Sequence, residues 1–529
     1  MVYFIKNNNF IILTTPSPKT HRTAEENLGL GYLAAILRNN GYNVKIIDGW
    51  LSGMTPFALA ENLLQEQTPL FIGFSAYQSN IAQAIETLSI IKKSKNIPCI
   101  VGGFGPTFAP EQFLQNGFDF VIRGEAEESI LDLANYFNIE SDLSKISGLS
   151  YIQNDKIINN PITPITIQLN DLPYPARDTM HMAMQRRTPV HLSTARGCSG
   201  SCAFCSIASF FRLSKTCKWR GEDISRIISE LKYLENMGVK HIKIIDDSFI
   251  DGTRNENWCK EFAEQIRANN INIHFRGSIR ADKVSPDIIK NLKESGFFSF
   301  SCGIENFATT ALKRMSKSAS VKQNNYALNI FRDNDIYVQA GQILFDPYTT
   351  MSELWENYHY MQHYDWIISK GIFTEMFAAS GTPFQNKISK QNASVSKNTN
   401  LGNYSYKIQD KQAQQVYNAL KLWHTSNMRL YDKAIDPLTS PKALTPDEMK
   451  LFYNEYMKIH HKDLEVMRSI LDIVEYAGNN TEVMQCVSDA LENSKIMFGQ
   501  IESNIDNAYK KCGIIYDACV NPFIKVGQR

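Results

Sequence analysis

The stretch Arg196-Gly-Cys-Ser-Gly-Ser-Cys-Ala-Phe-Cys-Ser206 sets three thiols, Cys198, Cys202 and Cys205, three and then two residues apart. Thiolates so close together suit a compact soft-metal centre, either zinc or an iron–sulfur cluster. A tetrahedral zinc site asks for a fourth protein ligand, and no His or Cys follows before Cys217. A cluster held by three thiolates leaves one iron open to a ligand that is not protein. Chance clustering of structural cysteines is the weaker reading, because buried thiols rarely crowd a glycine-containing loop.

Working outward, the loop follows a short apolar run, His191–Thr194, and precedes five more at His241–Ile245, Ile273–Gly277, Phe298–Gly303, Tyr337–Leu344 and Ile372–Ala378. Helical periodicity fills the intervals at Ile224–Met237, Asn257–Ala268, Pro286–Ser295, Val321–Asp333 and Met351–His363. Six strand and helix units predict a partial (β/α)6 barrel, with its active site at the C-terminal ends of the strands. The cysteine loop lies after the first strand, where such a site belongs.

Toward the N-terminus the same alternation appears, with strand-like runs at Phe10–Leu13, Val44–Ile47, Leu70–Phe74, Cys99–Val101 and Phe118–Ile122. Helix-like segments at Leu28–Asn39, Phe57–Gln65, Ile81–Lys92 and Glu111–Asn116 complete an α/β, Rossmann-like pattern with a parallel sheet. Gly73, Gly102, Gly103 and Gly124 stand at or just past strand ends, the crevice positions of open α/β sheets. Between Ser141 and Pro189 five prolines interrupt the rhythm, which reads as a connector with at most a small hairpin. Lys387–Asn403 has linker composition, and Gln412–Ser426, Pro446–Tyr476 and Glu482–Lys511 are helical without strand signals. The expected organisation is residues 1–140, a connector at 141–188, the barrel at 189–390 and a helical C-terminal domain at 391–529.

The CxxxCxxC, with Phe204 before its last cysteine, resembles the signature of the radical S-adenosylmethionine (SAM) superfamily. That resemblance implies a 4Fe-4S cluster on Cys198, Cys202 and Cys205, whose open iron binds SAM and cleaves it to a 5′-deoxyadenosyl radical. It also implies a one-electron donor such as flavodoxin or ferredoxin. Lys243-Ile-Ile-Asp-Asp-Ser-Phe249 closes the second barrel strand, where the family often has Gly-Gly-Glu; Asp246 and Asp247 then become candidates for the SAM ammonium. A helix N-cap is the plainer role for either aspartate. Cys302-Gly-Ile-Glu-Asn306 resembles the fourth-strand motif and makes Glu305 a SAM candidate, with a surface ion pair as its plainer role. Arg276 and Arg280 are candidates to fork the methionyl carboxylate. Phe204 completes the SAM set.

The N-terminal segments Leu28–Arg38, Gly41–Asp48, Gly73–Tyr77, Val101–Thr107 and Phe120–Glu127 resemble the cobalamin-binding domain that precedes many radical SAM barrels, as does the linker Asp171–Asp178. Cobalamin contacts are then expected at Ser75, Ala76, Tyr77, Gly102, Gly103, Phe104, Thr107, Gly124 and Glu125. A dinucleotide reading of Gly29-x-Gly31-x-x-Ala34 is disfavoured, since these glycines come about fourteen residues after the first strand and that fingerprint follows its strand directly. The chain has no Asp-x-His-x-x-Gly, the motif that supplies a lower axial histidine; His21 is near in sequence but reads better as a solvated loop residue.

The chain has 529 residues, 55 basic and 54 acidic, for a net charge of +1, so no long-range field favours nucleic acid or anionic lipid. No apolar run approaches the ~18 residues that span a bilayer, and Lys6 with Asn7–Asn9 interrupts any signal-peptide core. A cytoplasmic location with reduced thiols is expected for the ten cysteines. The substrate expected is a small molecule or peptide.

Two adjoining cofactor domains imply a methyltransferase acting on an unactivated carbon or phosphorus through methylcobalamin. The same cofactors serve rearrangement, cyclisation or hydroxylation, and a cobalamin or redox sensor is the non-catalytic alternative. Methylthiolation is disfavoured because the N-terminal domain contains only Cys99. The helical C-terminal domain is expected to close one side of the barrel mouth; Cys486, Cys512, Cys519, His460 and His461 there read as structural.

Overall fold

The computed structural model describes residues 8–18, 25–139, 142–165, 167–213, 218–391, 397–398, 403–404, 406–439, 443–476, 478–514 and 516. His21, Cys217, Cys519 and most of the Lys387–Asn403 linker lie outside them. The first sheet contains β1 (Phe10–Thr15), β2 (Asn43–Asp48), β3 (Ile72–Ser75), β4 (Cys99–Gly102) and β5 (Phe120–Ile122), all parallel, then β6 (Leu149–Gln153) and β7 (Lys156–Asn159), both antiparallel. Every residue of β1 is buried, as a central strand covered on both faces requires. Helices α1 (Leu28–Asn39), α2 (Pro56–Gln65), α3 (Ile81–Ser94), α4 (Phe104–Phe108), α5 (Pro110–Gln115) and α6 (Glu127–Ile139) supply the cover. Leu30, Ala34, Leu37, Leu133 and Phe137 pack on one face, while Leu59, Leu63, Ala84, Leu88 and Phe113 pack on the other.

The strand order β2-β1-β3-β4-β5 reverses between β1 and β3. Ligand crevices of doubly wound sheets open at that switch point, beyond the strand ends, here Thr15 and Ser75. The small hairpin expected in the connector forms as β6–β7. It does not stand apart in the connector but extends the first sheet through Phe120↔Tyr151, because Leu149 and Tyr151 carry apolar surface into the same core as Phe120.

After α7 (Met180–Gln185), the second sheet runs β8 (Val190–Leu192), β11 (His241–Ile244), β12 (His274–Arg280), β13 (Phe297–Glu305) and β14 (Tyr337–Gln342), all parallel. The sixth expected strand is reduced to two parallel bridges, Gln339↔Ile368 and Phe345↔Glu375. Between β8 and β11 lie β9 (Ala195–Gly197), α8 (Ser206–Leu213), β10 (Trp219–Gly221) and α9 (Ile224–Asn236). Then follow α10 (Glu256–Ala268), α11 (Pro286–Glu294), α12 (Thr309–Arg314), α13 (Val321–Asp333), α14 (Met351–His363) and α15 (Pro383–Gln391). Along β12 burial alternates with period two: Phe275 and Ile279 enter the core beneath the helices, which turns Arg276 and Arg280 to the barrel's inner side.

The C-terminal helices are α16 (Lys411–Ser426), α17 (Met428–Thr439), α18 (Pro446–Glu475) and α19 (Asn480–Cys512). Their core, with Trp423, Phe452, Tyr456 and Met467, is continuous with Leu344, Phe345, Leu354 and Tyr358 of the last barrel units. Tyr453 OH donates to Trp366 O at 2.6 Å and Tyr456 OH to Ser369 O at 3.1 Å, so the bundle backs the irregular segment that itself pairs with the β14 edge, where Ile368 N–H donates to Val338 O at 2.9 Å and Ala340 N–H to Ile368 O at 2.8 Å. Among the described residues no helix is long and apolar enough to cross a membrane.

Candidate active site

The cysteine loop is built by β9 and β10, which pair antiparallel through Arg196↔Arg220 and Gly197↔Trp219. Gly197 has φ +89°, and a Cβ there would stand 2.1 Å from Lys218 O, so glycine is required at the turn into Cys198. Ala203 N–H donates to Met315 O at 2.8 Å and its carbonyl accepts from Phe384 N–H at 2.9 Å, which sews the loop to the far side of the barrel. Phe204 packs with Met315, Met376 and Phe384.

All three thiols are free and partly buried. Burial raises each of them, Cys205 to about 12, while the Ala208 and Ile207 amides of α8 oppose the rise at Cys205. A metal must therefore displace the protons, as thiolate ligation always does. Among the described residues no three His, Cys, Asp or Glu side chains converge on a single ion. A cube presents a separate iron to each thiolate, so a three-cysteine loop of this kind fits a 4Fe-4S cluster better than one zinc ion at ~2.3 Å from every sulfur.

The candidate SAM residues divide. Asp246 is fully enclosed, with Oδ1 accepting Thr194 N–H at 2.7 Å and Oδ2 accepting Thr194 Oγ1–H at 2.6 Å, beside Arg254 at 3.4 Å. Its carboxylate fastens β8 to β11 rather than facing a ligand. Asp247 accepts Gly197 N–H at 2.9 Å and borders the cavity described below, and burial pushes it up to about 7. Arg276 donates to Leu438 O, Ser301 Oγ and Gln339 Oε1, and Arg280 forks Asp282, so neither guanidinium presents an open carboxylate fork. Glu305 ends β13 with φ +64° and pairs with Lys317 Nζ at 2.9 Å. Gly303 lies under that pair, since a Cβ would meet both Lys317 Nζ and Glu305 Oε1 at 2.7 Å.

A cavity of about 300 Å³ opens at the switch point of the first sheet. Its walls come from both sheets: Asn27, Tyr32, Gly73, Ser75, Tyr77, Gly102, Gly103, Phe104, Gly124 and Glu125 on one side, and Ser193, Arg196, Phe210, Phe211, Ile245 and Asp247 on the other. Gly102 and Gly103 at the end of β4 and Gly124 just past β5 let a planar ligand approach the backbone, and Phe74, Ile100 and Ile122 give it an apolar floor. That chemistry fits a corrin edge. Gly103 is at φ +106°, and a Cβ would come within 2.6 Å of Ala76 O, which places Ala76 behind the wall and not on it. Thr107 also stands back: its Oγ1 donates to Gly103 O at 2.7 Å and accepts Gly124 N–H at 3.1 Å, holding two wall glycines together.

Glu125 is spoken for, because Arg220 Nη2 donates to both its oxygens at 2.6 and 2.7 Å. Arg196 joins the same group at 3.3 Å from Glu125 and 2.7 Å from Glu127. Burial works against these charges, yet the pairing holds Arg196 above and Glu127 below its ordinary pKa. Sequence reading missed Arg196, Glu127, Phe210, Phe211 and Lys317. Adjacency to Cys198 was an available signal for Arg196; nothing local marks the others.

Comparison with known proteins agrees with this geometry. Residues 20–134 match the B12 binding domain family and residues 192–361 the radical SAM superfamily. The chain is thus a radical SAM enzyme with an N-terminal B12-binding domain, and its cofactors are a 4Fe-4S cluster, SAM and cobalamin. It is similar to an uncharacterised methyltransferase of Pyrococcus horikoshii, at 29% identity over 62% of this chain and 71% of that one. It is also similar to the anaerobic magnesium-protoporphyrin IX monomethyl ester cyclase of a Synechocystis strain, at 26% identity over 62% of this chain and 66% of that one. The solved structure of the cobalamin-dependent S-adenosylmethionine radical enzyme OxsB with aqua-cobalamin bound shares the fold, with TM-score 0.76 and 20% identity over 96% of this chain and 82% of that one.

Proposed function

We propose that this protein is a cytoplasmic methyltransferase acting on an unactivated carbon, or a phosphorus, of a small molecule or peptide. The observation that carries the reading is the shared cavity, in which Gly102, Gly103 and Gly124 of the B12-binding sheet face Arg196 and Asp247 beside the cysteine loop. Bound there, the cluster with SAM supplies a hydrogen-abstracting radical and cobalamin supplies a transferable methyl group.

The chain itself binds, orients and excludes water. SAM contacts fall to Phe204, Asp247 and Glu305, with Lys317 fixing the Glu305 carboxylate. Corrinoid contacts fall to Ser75, Tyr77, Gly102, Gly103, Phe104 and Gly124, with Ala76, Thr107 and Glu125 supporting the wall. Phe210, Phe211 and Ile245 line the barrel side of the cavity with apolar surface, which would help exclude water once both groups are bound. A flavodoxin or ferredoxin type of donor supplies the electron.

The test is anaerobic reconstitution with iron, sulfide and hydroxocobalamin, followed by product analysis. A methyltransferase forms S-adenosylhomocysteine, 5′-deoxyadenosine and a methylated product together. The similarity to a cyclase favours a second reading, cyclisation or another rearrangement, which forms 5′-deoxyadenosine without S-adenosylhomocysteine. Retained corrinoid without any SAM cleavage under reducing conditions leaves a sensor.

A further inference from the structure

Arg280, at the end of β12, is fixed more tightly than a ligand-binding arginine needs to be. Its Nε and Nη2 donate to the two oxygens of Asp282 at 3.0 and 2.5 Å. That uses one edge of the guanidinium and leaves Nη1, which donates to Ser199 Oγ at 2.6 Å and stands 3.3 Å from Asp251 Oδ2. Asp251 in turn accepts Ser199 N–H at 2.9 Å and Ser199 Oγ–H at 2.6 Å. The same Nη1 lies 3.9 Å from Cys198 Sγ, within reach of a charge-assisted hydrogen bond to sulfur. Gly200 closes the arrangement, since its N–H points at Cys198 Sγ from 3.4 Å, and a Cβ there would stand 3.3 Å from that sulfur and 3.6 Å from Nη1.

We propose that Arg280 is a positioning residue for the cluster: its fixed charge at Cys198 favours the reduced state, and it takes no part in holding the SAM carboxylate. Reduction adds one negative charge to a cluster already bound by three thiolates. Cluster potentials follow net charge and hydrogen bonds to the sulfurs, so the guanidinium N–H held at one sulfur, whose effect on Cys198 outweighs the opposing Asp251 carboxylate, makes that electron easier to accept. Asp282 and Asp251 keep the guanidinium from turning toward a ligand. The inference uses the cluster alone and stands or falls separately from methyl transfer.

The experiment is a redox titration of the iron- and sulfide-reconstituted full-length chain with dithionite as reductant, followed by electron paramagnetic resonance. Wild type, Arg280→Met, Arg280→Gln and Arg280→Lys are compared at equal bound iron. At the potential that half-reduces wild type, the reduced-to-oxidised ratio is expected to fall about tenfold in Met and Gln and to recover most of the way in Lys. Added SAM is expected to perturb the cluster signal in every variant. An unchanged ratio in whichever neutral variant loads iron overturns the proposal. So does loss of the SAM effect in Met or Gln with the ratio unchanged, which would make Arg280 a carboxylate clamp. If neither neutral variant loads while Lys does, Arg280 serves cluster assembly and the proposal is equally overturned.

Discussion

Arg196 Nη1 stands 2.7 Å from Glu127 Oε1, and this pair joins the residue two places ahead of the first cluster cysteine to the first turn of a helix in the B12-binding sheet. The guanidinium also lies over the Tyr32 ring, 5.1 Å from its centroid. Removing one partner of an enclosed ion pair strands the other, at a cost of ~3–5 kcal/mol when burial is complete and less here, where both side chains keep some exposure. Arg196→Met is therefore expected to lower the melting temperature and to weaken corrinoid retention severalfold after gel filtration. Equal retention in wild type and variant would remove the clasp from the account.

The wall glycines make a sharper test. Gly103→Ala puts a methyl group 2.6 Å from Ala76 O at φ +106°, so both strain and collision oppose it, for a loss of roughly 2–4 kcal/mol and of corrinoid absorbance. Gly41 has φ +87° with nothing within 4 Å of its Cβ position, so Gly41→Ala carries backbone strain alone, about 1 kcal/mol, and should keep the corrinoid.

Cysteine variants separate ligation from burial. Cys202→Ala is expected to abolish most iron uptake and all SAM cleavage. Cys302 is buried and faces the core with Ile304, so Cys302→Ala should load iron normally while losing some stability. Iron and sulfide counts on the two purified proteins decide the matter.

The C-terminal bundle holds two titrations of opposite sign. Burial raises Asp463 to about 7, its Oδ1 taken by Trp423 Nε1–H at 2.8 Å and by Tyr431 OH. Its folded pKa exceeds the unfolded value near 3.9, so its contribution is present at low pH and is lost as pH rises toward 7. Burial lowers His460 to about 4, with neither ring nitrogen hydrogen-bonded. The unfolded chain then binds the extra proton below pH ~6.5, so His460 costs stability as pH falls from there toward 4. Between about pH 4 and 6.5 the two slopes offset. Asp463→Asn should expose a stability that rises with pH across that window, and His460→Phe one that falls. Denaturant midpoints measured at several pH values check both signs, and parallel profiles for the two variants would contradict the assignment.

Much of this architecture was legible in the chain because periodicity reports burial. The expected helix Leu28–Asn39 has the observed bounds of α1, and the first five barrel strands fall where apolar runs placed them. The sixth forms only as isolated bridges: Ile368 and Thr374–Met376 hydrogen-bond along the edge of β14 and its continuation, but Gly371 at φ +88° breaks the run between them. Helix α17 escaped notice because Pro437 sits within it. At the site, spacing alone identified Cys198, Cys202 and Cys205 as a set. Partner choice was not legible: whether an arginine meets a ligand or a neighbouring carboxylate depends on residues such as Asp282 and Glu127, whose positions only the folded chain defines.

Gly197 donates its N–H to Asp247 on the barrel, Arg196 before it pairs with the B12-binding domain, and Cys198 after it carries the first of the three cluster thiols. Three consecutive residues, whose Cα atoms are ~3.8 Å apart, thus report to three different bodies. Two domains joined by a connector ordinarily rock against each other. In this chain that rocking is opposed at the tripeptide and beyond it, since Lys243 of the barrel pairs with Glu25 at 2.7 Å and Phe104 packs on Phe210, so the cysteine loop is a shared part of both domains and not an appendage of one.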